Sequence, residues 1–157
     1  MKFNKIVCVD KTKLRDWALE ELQKYSEEKI ENYIDYPESE EEVLQRIGDA
    51  EVVFVSWHTP IDESIIKKCP SLKYIGMCCR LYDDESDNVA VQFARANGIV
   101  VKGIRDYGDP GVVEFIISEM VRLFHGLGEH QWKDMPVELT DKKFGIIGLG
   151  TTGQFWL

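Results

Sequence analysis

The chain is poor in what polymer binding, membrane crossing or metal binding would need. Only 19 of its 157 residues are Lys or Arg against 28 Asp or Glu, a formal net charge of -9. Phosphate-backbone recognition needs clustered cations that displace counterions, and no basic stripe interleaved with aromatics is present, so no nucleic acid partner is expected. No apolar run approaches the roughly 20 residues that span a bilayer, and Met1-Lys2 leads directly into the strand-like Ile6-Val7-Cys8-Val9, which leaves no room for a secretory leader. No membrane partner and a cytoplasmic location are the default expectations. The four cysteines, Cys8, Cys69, Cys78 and Cys79, form neither the C-x-x-C pairs of a metal site nor a secreted disulfide framework. Reduced thiols are expected, with the adjacent Cys78 and Cys79 packing as small apolar groups rather than closing a strained disulfide. The three histidines, His58, His125 and His130, have no acidic neighbour at motif spacing, and a surface or packing role is favoured for each.

What is present is an alternation of short apolar runs with helical periods, which points to a parallel sheet with crossover helices. Strands are predicted over 6–9, 30–33, 52–55, 72–77 and 99–101. Asp10 or Thr12 is placed to cap a first helix whose inner face is Leu14, Trp17, Ala18, Leu22 and Tyr25. The acidic run 38–42, broken only by Ser39, reads as a helix start with the S-x-x-E pattern Ser39–Glu42, in preference to a protein-docking patch. A short helix with Ile65 and Ile66 stops before Pro70, and a fourth helix from Asn88 is terminated by Asn97-Gly98. Five strands and four helices in about a hundred residues give an α/β, flavodoxin-like, doubly wound domain whose ligands sit at the strand C-termini. After it, Pro110 opens a long helix to Gly126 or Gly128; its apolar residues cover more than one stripe and require cover on most of its circumference.

The end of the chain carries the sharpest motif. Phe144-Gly145-Ile146-Ile147 is predicted as a strand running into Gly148-Leu149-Gly150-Thr151-Thr152-Gly153, a G-x-G-x-x-G turn. Such a turn needs a tight bend at the first glycine, backbone approach to a pyrophosphate at the second and close helix packing at the third. Only Gln154, Phe155, Trp156 and Leu157 follow, so the acidic ribose partner expected about 20 residues further on is absent from this sequence.

In order and spacing these segments resemble the D-isomer-specific 2-hydroxyacid dehydrogenase family: Leu72-Lys73-Tyr74-Ile75-Gly76, Asp87-Asn88-Val89, the run 93–101, Tyr107 with Val112-Val113-Glu114, and the run 139–150. The resemblance implies a substrate domain over 1–103, an inter-domain helix and connection over 104–142, and over 143–157 the first strand and glycine turn of an incomplete Rossmann-type NAD-binding domain. It implies reversible hydride transfer between NAD(H) and a small 2-keto or 2-hydroxy acid, with Gly148, Leu149, Gly150, Thr151, Thr152 and Gly153 as cofactor-binding residues. The family's catalytic Arg, Glu and His lie beyond the glycine turn, so no catalytic residue is assigned here. The family's carboxylate-receiving loop after the fourth strand maps onto Cys78-Cys79-Arg80-Leu81-Tyr82, with Cys79 and Leu81 where most members have glycine. Cys79, Arg80, Leu81, Tyr82 and Tyr107 are the substrate-site candidates.

Two further expectations follow. These residues alone should bind NAD poorly and turn nothing over, with Phe155-Trp156-Leu157 reading as a premature or artificial stop. The orphaned apolar segment 110–157 should find cover in a homodimer, including a swapped form. The competing reading is a non-catalytic flavodoxin-like module such as a receiver, with Asp10 after the first strand and Lys102 after the fifth; against it, the third strand ends in Ser56 where a phospho-acceptor aspartate is required.

Overall fold

The computed structural model describes residues 2–81, 83–86, 88–105 and 108–155; Tyr82, Tyr107 and the side chain of Thr151, all expected at the site, lie outside what is described. The chain divides into two compact units, 1–105 and 106–157.

The first unit is built on five strands: β1 (Ile6–Cys8), β2 (Glu31–Asn32), β3 (Val52–Val55), β4 (Tyr74–Arg80) and β5 (Val100–Ile104). All pairings are parallel, in the order β2-β1-β3-β4-β5. This is the doubly wound 2-1-3-4-5 order, as expected. The register sets Val7 beside Val53, Val53 beside Ile75 and Ile75 beside Val101, and all four are buried. Continuous apolar runs without polar alternation fit a parallel sheet covered on both faces. The crossover helices are α1 (Asp16–Gln23), α2 (Glu40–Ile47), α3 (Glu63–Lys68) and α4 (Val91–Ala96).

Local chemistry accounts for most helix ends. Ser39 caps α2 by accepting from the Glu42 amide at 3.2 Å, while Glu42 reaches back to the Glu38 amide at 2.8 Å rather than to Ser39 itself, a capping box displaced by one residue. Asp62 caps α3 through the amides of Ser64 and Ile65. Gly98 takes φ +79 just after α4, as the Asn97-Gly98 terminator predicts. Two sheet glycines are required by close approach. A Cβ on Gly76 would stand 2.5 Å from the Phe54 ring lying across it, and one on Gly103 would stand 2.5 Å from Cβ of Leu81.

Several expectations are corrected. Neither Asp10 nor Thr12 caps α1, which starts after Arg15 with no side-chain cap. Leu14, Ala18 and Leu22 are half-buried along one stripe, but Trp17 is 69% exposed and Tyr25 is exposed beyond the helix end. The half-buried side of the eight-residue helix is Ala18, Leu19, Leu22 and Gln23, at i, i+4 spacing, and Trp17 falls beside it. The fourth strand does not stop at Met77 but continues to Arg80 across an irregularity, with Arg80 beside Ile104. Lys102 lies inside β5 rather than after it.

In the second unit, α5 (Asp109–His125) has Pro110 in its first turn and ends at Gly126 with φ +67, one of the two stops expected. The following connection folds back on the helix end: the amides of Trp132 and Val137 donate to the carbonyls of Leu123 and Phe124, and the Phe124 and Trp132 rings lie 4.5 Å apart. The strand predicted over 144–147 does not form; this stretch has no regular secondary structure and no ladder partner among the described residues. A strand is a property of paired backbone, and its sequence pattern alone cannot create one. The turn after it leads into α6 (Thr151–Gln154).

Candidate functional site

The C-terminal edge of the sheet in the first unit is organised by one carboxylate. Asp10, fully buried just past β1, accepts from the Ser56 amide at 2.9 Å through Oδ1, and from the Ser56 and Thr59 hydroxyls at 2.6 Å each through Oδ2. Ser56 Oγ in turn accepts from the His58 amide at 3.2 Å. Asn88 closes the arrangement from the loop before α4, donating Nδ2 to the carbonyls of Ser56 (2.8 Å) and Thr59 (3.4 Å). The Ile61 amide donates to the Asn88 carbonyl and the Ala90 amide to the Ile61 carbonyl. The segment 56–61 is thereby held by hydrogen bonds on both sides, which a loop seldom achieves.

Arg46 fixes the neighbouring loop. Buried on α2, it donates to the Val9 carbonyl at 2.9 Å and pairs with Asp35 (3.1 Å) and Glu42 (2.6 Å), with its guanidinium 4.4 Å from the Tyr33 ring. Between the two fastened loops lies a cavity of about 420 Å³ lined by residues including Tyr36, Glu38, Val43, His58, Asp62 and Ile65.

The candidates after β4 are placed unevenly. Cys79 and Leu81 are buried, Arg80 is exposed at the strand end, and the Leu81 amide donates to the Ile104 carbonyl. The irregular turn therefore begins at Leu81 rather than at Cys78, and one of the expected free amides is committed to the sheet. All four cysteines are unpaired. Burial pushes the Cys78 thiol up to about 12, helped by Cys8 and Asp10 nearby, and pushes Cys8 up to about 11 against the opposing pull of the Thr12 hydroxyl. Both shifts disfavour the thiolate form. Among the described residues no group of three His, Cys, Asp or Glu is placed to hold a metal ion, and no helix is long and apolar enough to cross a membrane.

In the second unit backbone geometry accounts for two of the three glycines of the turn. Gly148 adopts φ +97, where side chains are strained, and a Cβ on Gly153 would collide with the Gly148 carbonyl oxygen. Gly150 faces open space, so backbone approach to a pyrophosphate is unobstructed. Thr152 Oγ1 donates to Asp109 Oδ1 at 2.8 Å, which ties the turn to the start of α5. A cavity of about 400 Å³ beside the turn is bounded by Ile116, Met120, Ile146 and Gly148 among others.

Residues 6–144 match the catalytic-domain family described as D-isomer specific 2-hydroxyacid dehydrogenase. The chain belongs to this family. Hydroxypyruvate reductase from Blautia hydrogenotrophica is 33% identical over 130 residues, covering 73% of this chain and 39% of that protein. D-3-phosphoglycerate dehydrogenase from Methanocaldococcus jannaschii is 31% identical over 126 residues, covering 74% of this chain and 23% of that protein. Among solved structures, NAD+-bound 3-phosphoglycerate dehydrogenase from Entamoeba histolytica superimposes with a TM-score of 0.70 at 29% identity, over 99% of this chain and 49% of that one. The chain thus spans less than half the length of each of these relatives.

The sequence missed the Asp10 network as a unit, although the signal was there: a polar residue directly follows an apolar run at both Val9-Asp10 and Val55-Ser56, at the edge where doubly wound folds bind ligands. Replacing Asp10 with Ala strands the Ser56 and Thr59 hydroxyls in the interior, at about 1–3 kcal/mol per unsatisfied group. Asp10→Ala should therefore lower the urea midpoint clearly, while Asp49→Ala on the surface should not move it. Equal midpoints would show that the network carries no stability.

Proposed function

We propose that this chain is the substrate-binding half of an NAD-dependent oxidoreductase acting on the CH-OH group of D-2-hydroxy acids, and that these 157 residues by themselves catalyse no turnover. The observation that carries the reading is the coupling of a 2-1-3-4-5 parallel domain to a glycine turn whose first and third glycines are sterically required. When bound, the nicotinamide accepts or supplies the hydride. On this chain the backbone around Gly148, Leu149, Gly150, Thr151, Thr152 and Gly153 would cradle the pyrophosphate, with Asp109 holding Thr152 in place. The carboxylate of a small 2-keto or 2-hydroxy acid is assigned to Cys79, Arg80, Leu81, Tyr82 and Tyr107. The domain assignment that goes with this reading is a substrate domain over 1–103, an inter-domain helix and connection over 104–142, and the opening of the nucleotide domain over 143–157.

The alternative of a non-catalytic flavodoxin-like module is favoured by one observation, the self-contained core of the first unit. A receiver is not supported, since Asp10 is buried and engaged with Ser56 and Thr59, and Lys102 is within a strand. Titration of NADH into the chain should give no saturable change in nicotinamide fluorescence in the micromolar range, and NADH should not be oxidised with hydroxypyruvate or related 2-keto acids. Saturable micromolar binding would overturn the inactivity.

The second unit supports association. Phe115, Ile116, Ile117, Leu127, Phe144 and Ile147 are all exposed, an apolar surface of the kind that usually finds a partner. The partner proposed is a second copy, with segment 110–157 exchanged or paired. Sedimentation velocity should show a dimer that grows with concentration; a monomer throughout would refute it.

A further inference from the structure

The cavity between the two fastened loops of the first unit plays no part in the dehydrogenase reading, and its construction points to a ligand. Two rings line it, Tyr36 and His58, with centroids 4.3 Å apart, and Trp57 lies against His58 with centroids 3.6 Å apart and planes tilted by 30°. These rings are not on a loose loop. Ser56 and Thr59, on either side of Trp57-His58, both bond to buried Asp10, and Arg46 anchors the chain at Asp35 just before Tyr36. Rings held in place before binding lose little freedom on binding.

The chemistry of the lining selects the ligand. At about 420 Å³ the cavity suits a small molecule. Its walls are Tyr36, Pro37, Val43, Pro60 and Ile65, its polar groups include three carboxylates, and neither Lys nor Arg lines it. The Glu40 carboxylate is engaged by Lys68 and Ser64, and Asp62 Oδ1 caps α3. Among the described residues the Glu38 carboxylate has no hydrogen bond or ion pair. An aromatic face beside an unpaired carboxylate is suited to an organic cation, which gains from both the ring quadrupole and the charge. An anion would meet the Glu38 carboxylate, and the nearby Lys68 ammonium is already committed to Glu40. We propose that this cavity binds a small organic cation, an ammonium or guanidinium group on a short aliphatic chain, between Tyr36, His58 and Glu38.

The test needs neither nucleotide nor turnover. Backbone and aromatic NMR spectra of the chain are recorded during titration with n-butylammonium and n-butylguanidinium, with n-butanol as the neutral isostere. Both cations should give saturable shifts confined to Tyr36, Glu38, His58 and Asp62, the tighter of the two naming the preferred head group, and butanol should give none. Glu38→Gln and Tyr36→Ala, both at exposed positions, should each weaken binding roughly three- to tenfold, while Glu27→Gln at the far edge of the sheet should leave it unchanged. Equal shifts with butanol, parallel shifts at Glu27 and other surface carboxylates, or no saturable shift at all would each overturn the proposal.

Discussion

The buried Asp10 carboxylate is the interaction on which the organisation of this molecule turns. A carboxylate removed from water is tolerated only when its oxygens are occupied, and here an amide and two hydroxyls from the segment after β3 occupy them. The consequence reaches outward. Because Ser56 and Thr59 must satisfy Asp10, the residues between them are displayed at the sheet edge, and because their carbonyls accept from Asn88, the approach to α4 is fixed as well. Arg46 repeats the device with opposite charge, joining the end of β1 to the loop before α2. A cation and an anion, both buried, thus convert connecting segments into a rigid rim around a cavity.

Much of the fold was legible because the parallel sheet advertises itself. Val52-Val53-Phe54-Val55 and Ile6-Val7-Cys8 are apolar without alternation, and Ser39 and Gly98 punctuate as turn chemistry predicts. The failures share a cause, which is that contacts distant in sequence override local pattern. Asp10 reads as a helix cap because a helical period follows it, yet its partner is 46 residues away. Cys78, Cys79 and Arg80 read as a loop because the apolar run weakens, yet pairing with β5 carries the strand onward. Trp17 reads as part of the inner face of the first helix from its place in the helical period, yet it is exposed while Ala18, Leu19 and Leu22 are half-buried.

The glycine turn shows the complementary lesson. Two of its glycines are explained by local backbone geometry: left-handed Gly148, and Gly153 packed against the Gly148 carbonyl. The strand that should feed it does not form, because a strand needs neighbours to accept its hydrogen bonds. The local backbone signature of the motif is thus present in this chain, whereas the strand, which depends on pairing, is not formed among the described residues.

The central claim is that the loop after β3 is a fastened element of the core rather than a surface connection. Native-state amide hydrogen exchange measures this residue by residue. The account predicts that the Ser56 and His58 amides, bonded to Asp10 and to Ser56 Oγ, exchange as slowly as those of Val53 and Ile75 in the central strands, opening only with global unfolding. Exchange of Ser56 and His58 at rates typical of open loops, with Val53 and Ile75 still protected, would contradict it.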